Sequence, residues 1–170
     1  MRRRPLHVAA VVAVASTLAG CGYSFQGTLP DHIKTIAVPI FVNRTQQPAV
    51  ESVITRAVVD AFATNGRLRV VRTENADAIL DGEVLTYTVG PIAVDPSLAV
   101  QQYRLAVTLN LRLRDVRRNE VLFQQSNFSE QADFRVAGSV AQTLSVEAGA
   151  LQQAATEIGR SIVSLALDRF

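Results

Sequence analysis

Apolar and polar residues alternate strictly from Tyr103 to Leu113, which is the clearest pattern in the chain. The apolar positions are Tyr103, Leu105, Val107, Leu109, Leu111 and Leu113. The positions between them are Arg104, Ala106, Thr108, Asn110 and Arg112. Because successive side chains of a β-strand point to opposite faces, this period of two predicts a strand with one face on a core. Its other face is expected to meet something polar.

Three other segments have the composition of strands and complete a predicted four-stranded sheet. They are Ile33–Phe41, Ala78–Val89 and Val121–Phe128. Pro39 lies inside the first segment and lacks the N–H of a ladder hydrogen bond, which predicts an edge position or a bulge. Gly90–Leu98 holds two prolines and is predicted to be an apolar loop.

Two segments carry apolar residues at helical spacing. The first is predicted to begin at Pro48, a favourable first helical position, and to end at Asn65-Gly66. The second is predicted to begin at Ser139, with an apolar stripe formed by Val140, Leu144, Ala148, Leu151, Ala155, Ile158, Ile162 and Leu165. Gly149 and Gly159 lie in this helix, and we expect them to allow its close approach to the sheet.

The resulting order of elements is β-α-β-β-β-α. A sheet with one apolar face and two helices with one apolar stripe each predict an α+β fold. We expect a two-layer sandwich, with both helices packed on one face of a mostly antiparallel four-stranded sheet. The uncovered face should present the arginine, threonine and asparagine side chains of the alternating strand.

The first twenty residues have the layout of a secretory signal. Three arginines precede an apolar run, Val8–Ala19, whose 12 residues fall short of the roughly 20 in a membrane-spanning helix. The run closes in Leu18-Ala19-Gly20-Cys21, which resembles the lipobox of bacterial lipoproteins. We therefore predict a signal peptide at 1–20, a lipidated N-terminus with a short tether at 21–30, and a single domain at 31–170. The alternative is an ordinary signal peptide followed by a free cysteine.

Cys21 is the only cysteine of the chain. By resemblance to lipoproteins, it is expected to carry diacylglycerol and an N-acyl chain, and each buried CH₂ adds about 0.8 kcal/mol to membrane attachment. Gly22 follows the cysteine, whereas an Asp there would, by resemblance to enteric lipoproteins, indicate retention in the inner membrane. The predicted location is the periplasmic face of the outer membrane of a Gram-negative-type bacterium.

Removing the predicted signal changes the charge balance. The full chain has 17 basic and 15 acidic residues, and loss of the three N-terminal arginines leaves 14 and 15. This balance does not indicate a nucleic-acid partner. His32 is the only histidine after the signal and is expected on the surface, while Asp77, Asp81 and Glu83 are expected on a solvated strand edge. No catalytic constellation or metal-ligand spacing is present, so we predict neither an enzyme, nor a metal site, nor a cofactor beyond the acyl chains.

Two features are candidates for binding. The first is an arginine group, whose guanidinium forks match phosphates and carboxylates and predict an anion site. Its members are Arg104, Arg112, Arg114, Arg117 and Arg118. The alternative for this group is a solvated strand face and turn. The second feature is the apolar loop with Pro91, Ile92, Val94 and Leu98. It is predicted to contact a partner, and the alternative is that it folds back on its own core.

Three segments resemble the lipopolysaccharide-assembly lipoproteins (LptE-like). They are Leu18–Phe25 (LAGCGYSF), Ile36–Asn43 (IAVPIFVN) and Gln102–Leu105 (QYRL). The resemblance covers most of the mature chain and implies helices on a four-stranded sheet. It also implies a lipoprotein that sits inside a large outer-membrane β-barrel (LptD-like) as plug and assembly partner, and that contacts lipopolysaccharide during export. On this basis the arginine group is the predicted lipopolysaccharide contact, and the apolar loop is the predicted barrel contact.

A second resemblance gives a different function. Ile36–Pro39 (IAVP), a following helix and Gly66–Val71 (GRLRVV) are also similar to small outer-membrane lipoproteins that build secretion pores or activate peptidoglycan synthases. This resemblance implies a scaffold or activator that does not bind lipopolysaccharide.

Overall fold

The computed structural model describes residues 29–94, 100–135 and 140–168. The strands are β1 (Thr35–Ala37), β2 (Val42–Asn43), β3 (Arg69–Val70), β4 (Ala78–Val94), β5 (Val100–Asp115) and β6 (Glu120–Arg135). The helices are α1 (Val50–Asn65) and α2 (Val140–Asp168), and a short 3₁₀-helix covers Thr73–Asn75. The predicted α+β class with two helices is confirmed.

The sheet has six strands, not the predicted four. Its order is β3-β1-β4-β5-β6, and β2 also pairs with β4. The three long strands β4, β5 and β6 form an antiparallel meander. The short strands pair in parallel, β1 with β3 and β4, and β2 with β4. Parallel pairing between β1 and β3 requires a crossover, which α1 provides.

Both additional strands are two residues long. Only Thr35–Ala37 of the predicted strand Ile33–Phe41 forms a strand, because β1 ends before Pro39, and β2 begins at Val42, just after the predicted range. The apolar run that follows α1 supplies β3, after which the Val71 N–H donates to the Ile36 carbonyl at 2.9 Å. Strands this short carry no periodicity that a sequence pattern could reveal.

The prediction of a loop at Gly90–Leu98 is wrong for Gly90 to Val94, since β4 continues to Val94. Among the described strands, β4 beyond Val84 has a paired neighbour on one side only, which is β5. Pro91 is compatible with a strand at such a free edge, because its missing N–H breaks no ladder bond. Residues 95–99, including Leu98, lie outside the described residues.

The alternation along β5 is confirmed. Its apolar side chains Leu105, Val107, Leu109, Leu111 and Leu113 are fully buried. They meet a layer formed by both helices, whose largest fully buried side chains are Val50, Ile54, Val58, Phe62, Ile158 and Ile162. The core therefore lies between one face of the sheet and the two helices, as the sandwich prediction requires.

Gly159 allows two helices to approach each other, which corrects the expectation that it faces the sheet. A Cβ at this position would lie 2.7 Å from the Ala57 carbonyl oxygen of α1. Gly149, by contrast, has no atom within 4 Å of such a Cβ. The tight contact is thus between α1 and α2, and it is specific to Gly159.

The predicted end of α1 is confirmed, because Gly66 adopts φ 73° and its N–H donates to the Phe62 carbonyl at 3.1 Å. Helix α1 begins at Val50, two residues after Pro48. In α2 the stripe residues Leu144 and Ala148 are exposed, Leu144 by 63%, and the buried part of the stripe begins at Leu151 among the side chains that the structure describes. No helix among the described residues is both long enough and apolar enough to cross a membrane.

Candidate functional site

The meander has two ends, and the predicted binding residues divide between them. The turn end carries the β5–β6 turn, Asp115–Glu120, together with the beginnings of β1 and β4. The opposite end is where β4 finishes at Val94 and β5 begins at Val100. At about 3.3 Å per residue, the 17 residues of β4 span roughly 56 Å.

Arg104 is separated from the other members of the arginine group. It lies eight residues before Arg112 on β5, a distance of roughly 27 Å. Its guanidinium forms a bidentate salt bridge with Asp133 on β6. Nε donates to Oδ1 at 2.6 Å, and a terminal nitrogen donates to Oδ2 at 2.8 Å. This hydrogen bond lowers the pKa of the Asp133 carboxyl. Arg104 therefore already has an anionic partner of the protein's own.

Arg112 and Arg114 lie on the face of the sheet that the helices do not cover. Arg112 is the register partner of Asp81 on β4 and of Gln124 on β6. A terminal nitrogen of Arg114 lies 3.8 Å from Asp81 Oδ2. A shallow pocket of about 240 Å³ contains Arg112, Asp81 and Gln124. Glu83 lines this pocket as well, so an anion that binds there would meet one arginine and two carboxylates.

Arg117 and Arg118 lie in the turn, and the carboxylate of Asp115 holds their backbone. Asp115 Oδ1 accepts hydrogen bonds from the N–H groups of Arg117 and Arg118, at 2.8 and 3.0 Å. Both arginine side chains are exposed, whereas Asp115 is fully buried. The carboxylate thus fixes the turn from inside, and the two guanidinium groups face solvent.

His32 is the second partner of Asp115, which corrects its expected place on the surface. Its Nε2 lies 2.6 Å from Asp115 Oδ2, and its side chain is 19% exposed. Burial raises the pKa of Asp115, but the hydrogen bonds from Arg118, His32 and Arg117 outweigh burial and leave that pKa below its ordinary value. The sequence gives one indirect signal for this contact, since both residues lie next to predicted strands.

Asp77 forms a second polar contact at the turn end and is not a solvated edge residue. Its Oδ2 accepts from the Thr35 hydroxyl at 2.8 Å and from the backbone N–H groups of Lys34 and Thr35 at 3.1 and 3.0 Å. The Thr35 hydrogen bond is the main cause of a lowered Asp77 pKa. The Asp77 carbonyl also accepts from the Val116 N–H at 2.8 Å. Together these bonds join β1, β4 and the turn.

The opposite end exposes apolar residues from both layers. Ile92 on β4 is 42% exposed, and Val89 is also exposed. Leu144 and Val146 on α2 are exposed as well. The Tyr87 hydroxyl donates to Glu147 Oε1 at 2.7 Å and ties β4 to α2. Burial, reinforced by this carboxylate, raises the pKa of Tyr87.

The predicted barrel contact falls at this opposite end. Pro91 and Ile92 lie within β4, and Val94 is its last residue. Sequence reasoning missed the exposed apolar residues of α2 at this end, because Leu144 belongs to a stripe that is otherwise typical of a buried face.

A surface groove of about 500 Å³ runs between the C-terminal halves of α1 and α2. Ala57, Ala61, Val163 and Leu167 supply its apolar lining, and Arg160 lies at its side. Sequence reasoning did not find this groove, because it depends on how closely the helices approach. Among the described residues, no group of three His, Cys, Asp or Glu side chains is placed to hold a metal ion.

Several solved structures share this fold at low sequence identity. The hypothetical protein CT253 from Chlamydia trachomatis has a TM-score of 0.55 and 11% identity, over 78% of this chain and 94% of its own. XCC0632 from Xanthomonas campestris has a TM-score of 0.54 and 17% identity, over 84% and 90%. PelC from Paraburkholderia phytofirmans, described as a dodecamer, has a TM-score of 0.50 and 18% identity, over 83% and 93%. At such identities the likeness shows the fold alone.

No curated protein has significant sequence similarity to the chain. The model of the LptE family, described as lipopolysaccharide-assembly, matches residues 33–165. This match begins at Ile33, two residues before β1, and ends at Leu165 in the last turn of α2. It includes every strand of the described structure. The chain therefore belongs to the LptE lipopolysaccharide-assembly family.

Proposed function

We propose that the mature chain is an outer-membrane lipoprotein that serves as plug and assembly partner of a lipopolysaccharide-translocating β-barrel (LptD-like). In this role it takes part in inserting lipopolysaccharide into the outer membrane, as a structural partner and not as an enzyme. The family match over residues 33–165 carries the proposal. Residues 1–20 are the removed signal, and acyl chains on Cys21 hold residues 31–170 at the periplasmic face.

The opposite end of the meander is the proposed barrel contact. Its exposed apolar residues come from both the sheet and the helix layer, with Ile92 on β4 and Leu144 on α2. Apolar surface gathered at one end of a domain is typical of a protein contact. Pro91, Val94 and Leu98 belong to the same segment of sequence and complete the proposed contact.

The proposed lipopolysaccharide contact is reduced to Arg112, Arg114, Arg117 and Arg118. Phosphates or sugar acids of lipid A suit the guanidinium fork. Arg104 is left out, because it binds Asp133 and lies far from the others.

Affinity capture of the lipidated protein from membranes tests the barrel partnership. A large outer-membrane barrel in the captured material is the expected result. The competing function is a scaffold or activator without lipopolysaccharide affinity, and the fold shared with PelC makes a homo-oligomer a specific alternative. Capture of a ring of this chain alone, or of a peptidoglycan synthase, would overturn the barrel proposal.

Charge reversal tests the lipopolysaccharide contact. A variant with glutamate at positions 112, 114, 117 and 118 should lose lipopolysaccharide in a pull-down. Arg56→Glu is the matched control, because Arg56 is an exposed arginine on α1, in the other layer. Equal lipopolysaccharide recovery by the two variants would refute the assignment of these arginines.

A further inference from the structure

We propose that the turn end docks directly on the surface of an anionic phospholipid bilayer, through Arg117, Arg118, Val116 and Val121. The proposed function assigns membrane attachment to the acyl chains alone and Arg117 and Arg118 to lipopolysaccharide, so this contact is additional and gives the same two guanidinium groups phospholipid phosphates as a further ligand. It rests on the proposed lipidation of Cys21, because the anchor brings the turn end to the membrane.

The first described residues lie beside the turn end, so the length of the tether limits how far a lipid on Cys21 can be from this end. Leu29 packs on the hydrophobic core, and the eight residues from Cys21 to Leu29 reach at most about 29 Å. The Ile33 N–H then donates to the Pro30 carbonyl at 2.9 Å, and the neighbouring His32 contacts Asp115 at the base of the turn. The opposite end lies roughly 56 Å away along β4, beyond the reach of the tether.

The composition of the turn suits a bilayer surface. Val116 and Val121 are 41% and 48% exposed, and the two arginines lie between them in the chain. Interfacial segments combine apolar side chains, which enter the headgroup region, with basic side chains, which bind lipid phosphates. Among the described side chains, the other exposed charges at this end are Lys34, Arg67, Arg69, Arg72, Asp31, Glu74 and Glu120. Together with Arg117 and Arg118, they give six cations and three anions.

The turn is also held in place before any contact is made. Asp115 binds the N–H groups of both arginines, and the Asp77 carbonyl binds that of Val116. These bonds fix the backbone that carries the proposed contact, so docking needs to order little more than side chains. A preorganised surface binds more tightly for this reason.

A fluorescent label on the lipidated protein tests the contact. In the acylated chain the Cys21 sulfur carries diacylglycerol, so Val116→Cys introduces a unique free thiol for an environment-sensitive fluorophore. The labelled protein is placed in phosphatidylcholine vesicles with and without phosphatidylglycerol. Leu144→Cys is the matched control, because it is an exposed apolar position on α2 at the opposite end.

With phosphatidylglycerol, the label at 116 should shift to the blue and become shielded from an aqueous quencher, while the label at 144 stays accessible. Each basic residue near an anionic surface raises the equilibrium constant for docking roughly fivefold. Arg117→Gln with Arg118→Gln should therefore lower this equilibrium constant roughly 25-fold. Both substitutions are at exposed side chains, and circular dichroism checks that the variant folds. The vesicles contain neither barrel nor lipopolysaccharide, so the result is independent of the barrel partnership. A label at 116 that remains as accessible as the label at 144 overturns the inference, even if barrel capture succeeds.

Discussion

Replacing Gly159 by alanine should push α1 and α2 apart. The new methyl carbon would lie 2.7 Å from the Ala57 carbonyl oxygen and 3.1 Å from the Ala61 methyl carbon. The nearer atom belongs to the backbone of α1, so no rotation of a side chain can relieve the contact. The helices must separate, and this loosens the packing of their fully buried residues.

Two opposing terms set the size of this effect. Alanine stabilises a helix by about 1 kcal/mol relative to glycine. Overpacking a well-filled interior costs about 1–3 kcal/mol, and a backbone obstacle places Gly159→Ala in the upper part of that range. The expected net change is a loss of about 1–2 kcal/mol in the free energy of unfolding. Gly149→Ala is the control on the same helix, and with no atom nearby it should gain up to about 1 kcal/mol.

Urea unfolding of the two variants measures the difference directly. For a domain of this size, each kcal/mol corresponds to about 2–4 °C in Tm, so thermal unfolding provides a second measurement. The two alanines should change stability in opposite directions. If both raise it equally, the helices are not in close contact at Gly159, and the structural argument fails.

The buried carboxylate at the turn end gives two further predictions, and the opposite end gives a third. Asp115→Ala should lower the free energy of unfolding by about 2–4 kcal/mol, since it leaves two turn N–H groups unpaired, whereas His32→Ala should cost about 1 kcal/mol. If the loss in free energy of unfolding of the double variant equals the sum of the two single losses, the two side chains are not coupled. The folded chain lowers the pKa of both Asp77 and Asp115. The stability that these two carboxylates contribute should therefore be fully present above the ordinary aspartate pKa, about 3.9. It should be lost as pH falls through their lower pKa values in the folded chain. Urea titrations at a series of acidic pH values measure this decline, and a stability that rises on acidification would contradict it. Ile92→Ser with Leu144→Ser should change stability by less than about 0.5 kcal/mol but reduce barrel capture, and undiminished capture would remove this surface from the proposed contact.

The long strand β5 could be predicted because its pattern is local. One face of β5 is buried from Leu105 to Leu113, so every second residue in this range reports the same environment. The short strands β2 and β3 could not be predicted, since their two residues show no period. Their parallel pairing follows from the crossover through α1, which is a property of the whole chain.

The arginine group shows the corresponding limit for the site. The alternation of β5 correctly placed Arg104 and Arg112 on the polar face, but it could not identify their partners. The pairing of Arg104 with Asp133 depends on the register between β5 and β6, and these residues are 29 positions apart. The contact between His32 and Asp115 spans 83 positions and has no local signature. The only sequence signal for this contact is that both residues lie next to the ends of predicted strands.

The unequal lengths of the elements explain why the two proposed surfaces lie so far apart. Helix α1 has 16 residues and covers about 24 Å, whereas α2 has 29 residues and covers about 43 Å. The sheet extends farther still, so its distant part is covered by α2 alone, and Leu144 and Ile92 remain exposed there. A domain that only needed a stable core would gain by shortening this extension, because exposed apolar surface contributes nothing to folding. The length of this extension would instead allow the proposed membrane contact at the turn end and the proposed protein contact at the opposite end to form at the same time. Shortening β4 and β5 together should therefore leave the vesicle signal at Val116 intact and abolish barrel capture, and loss of both would show that the ends do not act independently.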